Sequence, residues 1–308
     1  MKIGGDEKMK RQFVMATVMM AIMLLSVLMV LPVMLGLRFY EEMVSGLYCD
    51  INGDSANDVL LSVTTISRSG KSITTIRAVD GCNGEDLWKE RKYPNCWGDA
   101  QPAGDLNGDN KSDAVIVLSS CKEPISGKSY GEVIGVNGCD GTELWSIHYV
   151  GDIDEWVGMS ATPANLTSAS RTDVIVNIET ETLYGDRTII MAINGRDGSV
   201  LWEKSVTTSV VGVPVDLNND GKDEVVLGMS EEMAESHYFI NRATNVTVVN
   251  GNKGEEIWSK EYSEVVTFEP AGDLTGDGAN DLTVWIGCCK LEAFRGSNGE
   301  KLWAYEIR

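Results

Sequence analysis

Histidine is almost missing from this 308-residue chain: His148 and His237 are the only two. No HExxH pair and no closely spaced His/Cys set occurs, which excludes a zinc centre of the usual kind. No GxSxG nucleophile elbow is present either. Gly70-Lys-Ser72 and Gly127-Lys-Ser129 look like ends of a phosphate loop. Thr65 and Lys122 stand where the opening glycine is required, and neither stretch leads into a helix, so both read as hairpin loops. Basic residues are scarce, 26 against 46 acidic, and a net charge of −20 lacks the basic face that nucleic acid demands. Helical periodicity is scarce beyond the N-terminal region. Glycine, by contrast, numbers 32 and hydrophobic residues make up 43%, which points to packed β-strands joined by many turns.

One long uncharged run exists, at residues 13–37. Its length exceeds the roughly 20 residues a helix needs to cross a bilayer. Lys2, Lys8, Lys10 and Arg11 precede it, so the positive-inside rule places residues 1–12 in the cytoplasm as a short tail. Residues 13–37 are then a transmembrane signal-anchor helix, and residues 38–308 lie outside the cell membrane on a single-pass anchor. The competing reading is a cleaved signal peptide. The run is longer than the usual apolar region of such a peptide and shows no small-x-small cleavage site. Removing the four bases and two acids of residues 1–37 leaves 22 basic and 44 acidic residues outside.

Those acids are not scattered. Asp105, Asn107, Asp109 and Asp113 place oxygen-bearing side chains at positions 1, 3, 5 and 9 of a Gly-containing loop. Asp50, Asn52, Asp54 and Asp58 repeat the arrangement, as do Asp216, Asn218, Asp220 and Glu224, and Asp273, Thr275, Asp277 and Asp281. Hard oxygens at that density on a tight loop suit Ca²⁺. The plainer reading is Asx-turns at hairpin ends, because Asp, Asn and Gly favour turns without metal. Four copies in one register favour about four structural Ca²⁺ ions. A fifth copy, Asn165, Thr167, Ala169 and Asp173, has lost an oxygen at Ala169 and is expected to be metal-free. The loops are not EF-hands, which need a Glu at position 12 and flanking helices.

A second landmark keeps step with the first. AVDGCNGEDLW ends at Trp88, and related elements end at Trp145, Trp202, Trp258 and Trp303. Trp-to-Trp spacings are 57, 57, 56 and 45, against loop spacings of 55, 60, 51 and 57. Each unit reads as four strands; in the second these are 96–102, 114–118, 132–136 and 143–149. A repeated four-stranded unit that cannot bury both faces alone fits a propeller blade. The expected fold is all-β, a five-bladed propeller of four-stranded antiparallel blades after one N-terminal transmembrane helix. The repeats run about 38–92, 93–150, 151–206, 207–263 and 264–308. A closed ring is the first choice; an incomplete ring closing with a partner chain is the alternative. The five Trp rings are expected to pack between blades.

The loops, preceded by PAGD at 102–105 and 270–273, resemble the FG-GAP repeats of integrin α-subunit propellers. The Trp elements resemble the tryptophan-docking motif of pyrroloquinoline-quinone-type propellers. Ala78/Asp80/Gly84/Trp88 and Ala192/Asn194/Gly198/Trp202 fit that motif well, Val248/Asn250/Gly254/Trp258 more loosely, and Arg295 replaces the acid in the last copy. The resemblance implies a fold and says less of function, since propellers host many activities.

Of seven cysteines, Cys96 and Cys121 fall in one unit and are plausible disulfide partners; Cys288 and Cys289 are adjacent. Trp97 and Trp156, with Asp99, Gln101 and Glu155, are placed to line a central channel, although packing is the plainer reading. The N-x-S/T triplets at Asn110, Asn165 and Asn245 arise easily by chance. The expected function is a non-enzymatic, membrane-anchored module that binds a protein or glycan through the connections near 119–131, 179–187 and 229–244. The alternatives are a quinone-dependent oxidoreductase, which the Trp motif and adjacent cysteines suggest, and an envelope assembly scaffold.

Overall fold

The computed structural model describes residues 42–67, 70–182, 185–206, 209–230, 242–287 and 289–307. The proposed anchor at 13–37 lies outside the described residues. Among those described, no helix is long and apolar enough to cross a membrane. One compact unit comprises Met43–Thr64 and Ser72–Arg308. In the other, Met1–Glu42 with Thr65–Lys71, the Gly70 N–H donates to Ser67 O at 2.9 Å in a hairpin tip.

The chain is all-β, with five four-stranded antiparallel sheets, as a five-bladed propeller requires. The first holds β1 (Glu42–Cys49), β2 (Asp58–Ile66), β3 (Ser72–Val79) and β4 (Arg91–Pro94). The second holds β5 (Trp97–Gly104), β6 (Asp113–Lys122), β7 (Ser129–Val136) and β8 (Glu143–Val150). The third holds β9 (Trp156–Ala164), β10 (Asp173–Thr182), β11 (Gly185–Ile193) and β12 (Val200–Val206). The fourth is β13 (Ser209–Val215), β14 (Glu224–Ser230), β15 (Arg242–Val249) and the first half of β16 (Glu256–Gly272). The second half of β16 opens the fifth sheet, followed by β17 (Asp281–Ile286), β18 (Lys290–Phe294) and β19 (Lys301–Glu306). The shared strand pairs Trp258 with Val248 on β15 and Thr267 with Trp285 on β17.

Side-chain alternation explains how the sheets stack. On β6, Ala114, Ile116 and Leu118 join a core with Leu60, Ile76 and Trp88 of the first sheet. Val115 points the other way, into a core with Val157, Val174 and Val176 of the third. A strand buried on both faces reads as a continuous apolar run. Two further cores join sheets three and four, around Leu166, Ile175 and Val225, and sheets four and five, around Val246, Phe268 and Phe294. These are four of the five junctions a closed ring would have. Among the described residues no core joins the fifth sheet to the first, where closure was the first expectation.

Tryptophan seals each core. Trp145, Trp202 and Trp258 are 6–8% exposed, and their Nε1–H groups donate to Gly195 O, Gly251 O and Gly296 O of the next sheet at 2.6, 2.6 and 2.7 Å. Trp88, 5% exposed, lies over Gly141, but its buried Nε1 has no hydrogen-bond partner among the described residues. The glycine under each ring is obligatory twice over. Gly141 and Gly198 have φ of +70° and +72°, and a Cβ on either would stand 2.5–2.6 Å from the Trp side chain. The Cys96–Cys121 pairing is present as a disulfide, with both residues buried.

Candidate functional site

Every acidic loop joins the first two strands of its sheet, and the Gly turn joins the last two, so both lie at one end. Their side chains are arranged alike. Asp50 Oδ1 accepts from the Gly53 and Asp54 N–H groups at 2.7 and 3.1 Å, and its Oδ2 from Ser55 at 2.8 Å. Asp105 makes the matching bonds to Gly108, Asp109 and Asn110. Asp216 receives Asn219 and Gly221, and Asp273 receives Gly276, Asp277 and Gly278. Position 5 of each full loop accepts the backbone N–H two residues on, as Asp54 does from Ala56, and position 3 does so where it is Asn, as Asn52 does from Asp54. These bonds hold the carboxylates of Asp54, Asp273 and Asp277 below the usual range, chiefly through the Ala56, Gly278 and Ala279 amides.

Position 9 does something the sequence did not disclose. Asp58, Asp113, Asp173, Glu224 and Asp281 are all 2% exposed or less. Asp113 Oδ2 receives the Leu106 and Asn107 amides at 2.9 and 3.1 Å, and Oδ1 receives Gly138 N–H of the Gly turn at 3.0 Å. Asp58, Asp173 and Asp281 tie Gly81, Gly195 and Gly296 in the same manner. In these four units position 9 is thus a buried brace between loop and turn, while Glu224 accepts from Leu217 and Asn218 of its own loop. Burial pushes the Asp113 carboxyl above its usual value and that of Glu224 to about 7. The third loop, expected to be metal-free, keeps the brace: Asp173 receives the Thr167 N–H and Oγ1–H at 2.8 and 2.7 Å. The repetition of this acid in all five copies, including the one without a full ligand set, was the available signal.

The four full loops carry carboxylate, amide and hydroxyl groups of the kind a hard cation takes, with position 5 exposed and positions 1 and 3 mostly half-buried. The Asn52 and Asn107 Oδ1 atoms are taken by the Asp54 and Asp109 amides, so these side chains turn Nδ2 toward the carboxylates. Asn107 Nδ2 sits between Asp109 Oδ2 and Asp113 Oδ1 at 3.2 and 3.3 Å, and Asn52 sits likewise between Asp54 and Asp58 at 3.4 and 3.5 Å. In these two loops the side chains at positions 3, 5 and 9 therefore converge, while in the fourth sheet Asn218 Nδ2 meets Glu224 Oε1 at 2.8 Å. In the fifth loop a guanidinium is at hand instead: Arg295 Nη1 donates to Asp277 Oδ2 and lies 3.5 Å from Thr275 Oγ1.

The opposite end carries a recess. It holds about 300 Å³ and is lined by Val44, Ser45, Trp97, Asp99, Val117 and Met159, among others. That volume is at the small end for a ligand site. Ser62, 3% exposed, also faces it, and among the described residues its Oγ has no hydrogen-bond partner. Asp99 Oδ1 accepts from Ser45 Oγ at 2.5 Å. Of the expected channel set, Trp97 and Asp99 come together there. Gln101 is spent on Ala161 O at 2.6 Å, and Glu155 on the Asp152 N–H. Trp156 is 40% exposed and folded over Gly158. The β6–β7 turn at the same end exposes Ile125 fully. Residues 183–184 and 231–241 of the other expected connections lie outside the described residues, as does Cys288.

The family model described as outer membrane protein assembly factor BamB matches residues 131–308. No curated protein matches the chain. Among solved structures, the exotype rhamnogalacturonan lyase YesX superposes with a TM-score of 0.53 at 15% identity, over 88% of this chain and 50% of that one. A europium-containing methanol dehydrogenase gives 0.43 at 10% identity, over 85% and 53%. The chain therefore spans about half the length of these two proteins, and at such identity the first likeness speaks for the fold alone. With the match covering more than half of the sequence and the docked tryptophans in place, the chain belongs to the family of pyrroloquinoline-quinone-type repeat propellers typified by that assembly factor.

Proposed function

We propose that this chain is a membrane-anchored, calcium-stabilised propeller displayed outside the cell, acting as a non-enzymatic module that binds a protein or glycan. The observation that supports the calcium reading is the recurrence, in sheets one, two, four and five, of one loop geometry in which the position-1 carboxylate is held by backbone amides beside further oxygen-bearing side chains. Ca²⁺ at Asp50/Asn52/Asp54/Asp58, Asp105/Asn107/Asp109/Asp113, Asp216/Asn218/Asp220/Glu224 and Asp273/Thr275/Asp277/Asp281 would neutralise clustered carboxylates and stiffen the first turn of each blade. The fifth loop should bind most weakly, because the Arg295 guanidinium already meets Asp277. Binding is assigned to the end opposite the loops, where Trp97, Asp99 and the unpaired Ser62 hydroxyl line the recess.

A second reading, an envelope assembly scaffold, is favoured by the family match over residues 131–308. Crosslinking on intact cells separates the two by the partner captured: an envelope assembly component for the scaffold, another surface protein or glycan for the binder. The calcium reading is tested by metal counting and thermal melting of the full chain in detergent, with Ca²⁺ and with chelator. About four ions and a clear fall in midpoint on chelation are expected. An unchanged melt with no bound metal would reduce the loops to Asx-turns.

A further inference from the structure

Four interfaces within the chain define what one blade requires of the next. A Leu or Ile after the first loop residue is buried: Ile51 at 0%, Leu106 at 0%, Leu166 at 1% and Leu217 at 0%. A Trp ring lies on a positive-φ glycine of the following sheet. Each side of the array is left with half of such a junction. In the fifth sheet Leu274 is 43% and Trp303 42% exposed, and Tyr305 and Ile307 extend the apolar strip at 63% and 47%. In the first sheet Gly84 has φ +75°, like the docked glycines, yet among the described residues nothing stands within 4 Å of where its Cβ would be. Gly46, with Val59 and Leu61 beside it, forms a partly open apolar face on that sheet.

These two halves are the two sides of a contact the chain makes four times internally, so each specifies its partner: a Trp for the Gly84 turn, a positive-φ glycine turn for Trp303. They do not meet in one chain. We propose that they meet between two copies, with Trp303 of one chain docked on the Gly84 turn of the other, and reciprocally. A head-to-tail contact leaves unsatisfied ends unless rotation closes it, and a reciprocal pair leaves none. The first blade of each copy then gains the core it lacks, as does the fifth. This inference stands on the blade geometry and does not depend on whether the loops take calcium.

The test uses the full chain, co-expressed with two different tags and extracted in detergent, with the photocrosslinker benzoylphenylalanine placed at position 303. A light-dependent product carrying both tags, with the crosslink mapped to residues 78–88, is expected. A crosslink confined to one chain would show a ring that closes on itself, and one to another protein, or none, would equally overturn the dimer. Trp303→Ala should weaken self-association at least about thirtyfold in detergent-corrected sedimentation, the cost of removing a buried aromatic anchor. Its melting midpoint at high dilution should stay put, since the ring is already exposed there. Unaltered association of that variant sinks the proposal.

Discussion

At the scale of single residues, the ninth loop position separates two kinds of carboxylate that composition cannot tell apart. Removing Asp173 leaves the half-buried Thr167 and buried Gly195 amides without acceptors, at up to about 1–3 kcal/mol for each group. Asp173→Ala should therefore lower the melting midpoint equally with calcium and with chelator, because Ala169 leaves that loop short of ligands. Asp109→Ala, at the exposed fifth position, should cost little in chelator and much more in calcium. Parallel melts of the two variants in both conditions check this. Equal calcium dependence in both would erase the distinction between brace and ligand. The spacing of Asp105, Asn107, Asp109 and Asp113 was legible as a loop. That both oxygens of Asp113 turn inward to amides was not, since a ligand and an acceptor are the same residue type in sequence.

At the scale of the element, the Trp-on-glycine contact was legible because two independent landmarks recurred together. Strand centres followed from the same pattern. Strand ends did not: β6 runs to Lys122 rather than 118, and β7 begins at Ser129 rather than 132, because pairing of Cys121 with Tyr130 carries the hairpin past the last apolar residue. The energetic content of the contact is measurable by comparing equivalent glycines. Gly198→Ala and Gly84→Ala both impose a Cβ on a left-handed residue, at about 1–2 kcal/mol. Only at Gly198 would the new atom also stand 2.6 Å from the Trp145 side chain, and overpacking adds about 1–3 kcal/mol more. Chemical denaturation of the dilute protein should show Gly198→Ala to be the more damaging by that margin. Equal losses would mean that the indole does not hold its place.

For the molecule as a whole, repetition told how neighbouring blades meet but not whether the last meets the first; five equivalent units serve a closed ring and an open row equally well. The difference has a physical consequence. In a row, each unit is stabilised by its own fold and by its nearest neighbours, so the terminal units have one interface where inner ones have two. Local opening then costs least at the ends. Sheet three, covered by cores on both sides, should hold its amides longest, with β10 slowest to exchange because Ile175 and Val176 each feed a different core. The amides of β2 and of β17–β19 should exchange first in the dilute protein. Docking of a second copy at Trp303 and Gly84 supplies the missing interface, so protection of those strands should rise with protein concentration while sheet three stays unchanged. Hydrogen exchange read by mass spectrometry at two concentrations resolves this strand by strand. Uniform protection across all five sheets at high dilution would mean instead that the chain closes its own ring, for only then does each blade have two neighbours.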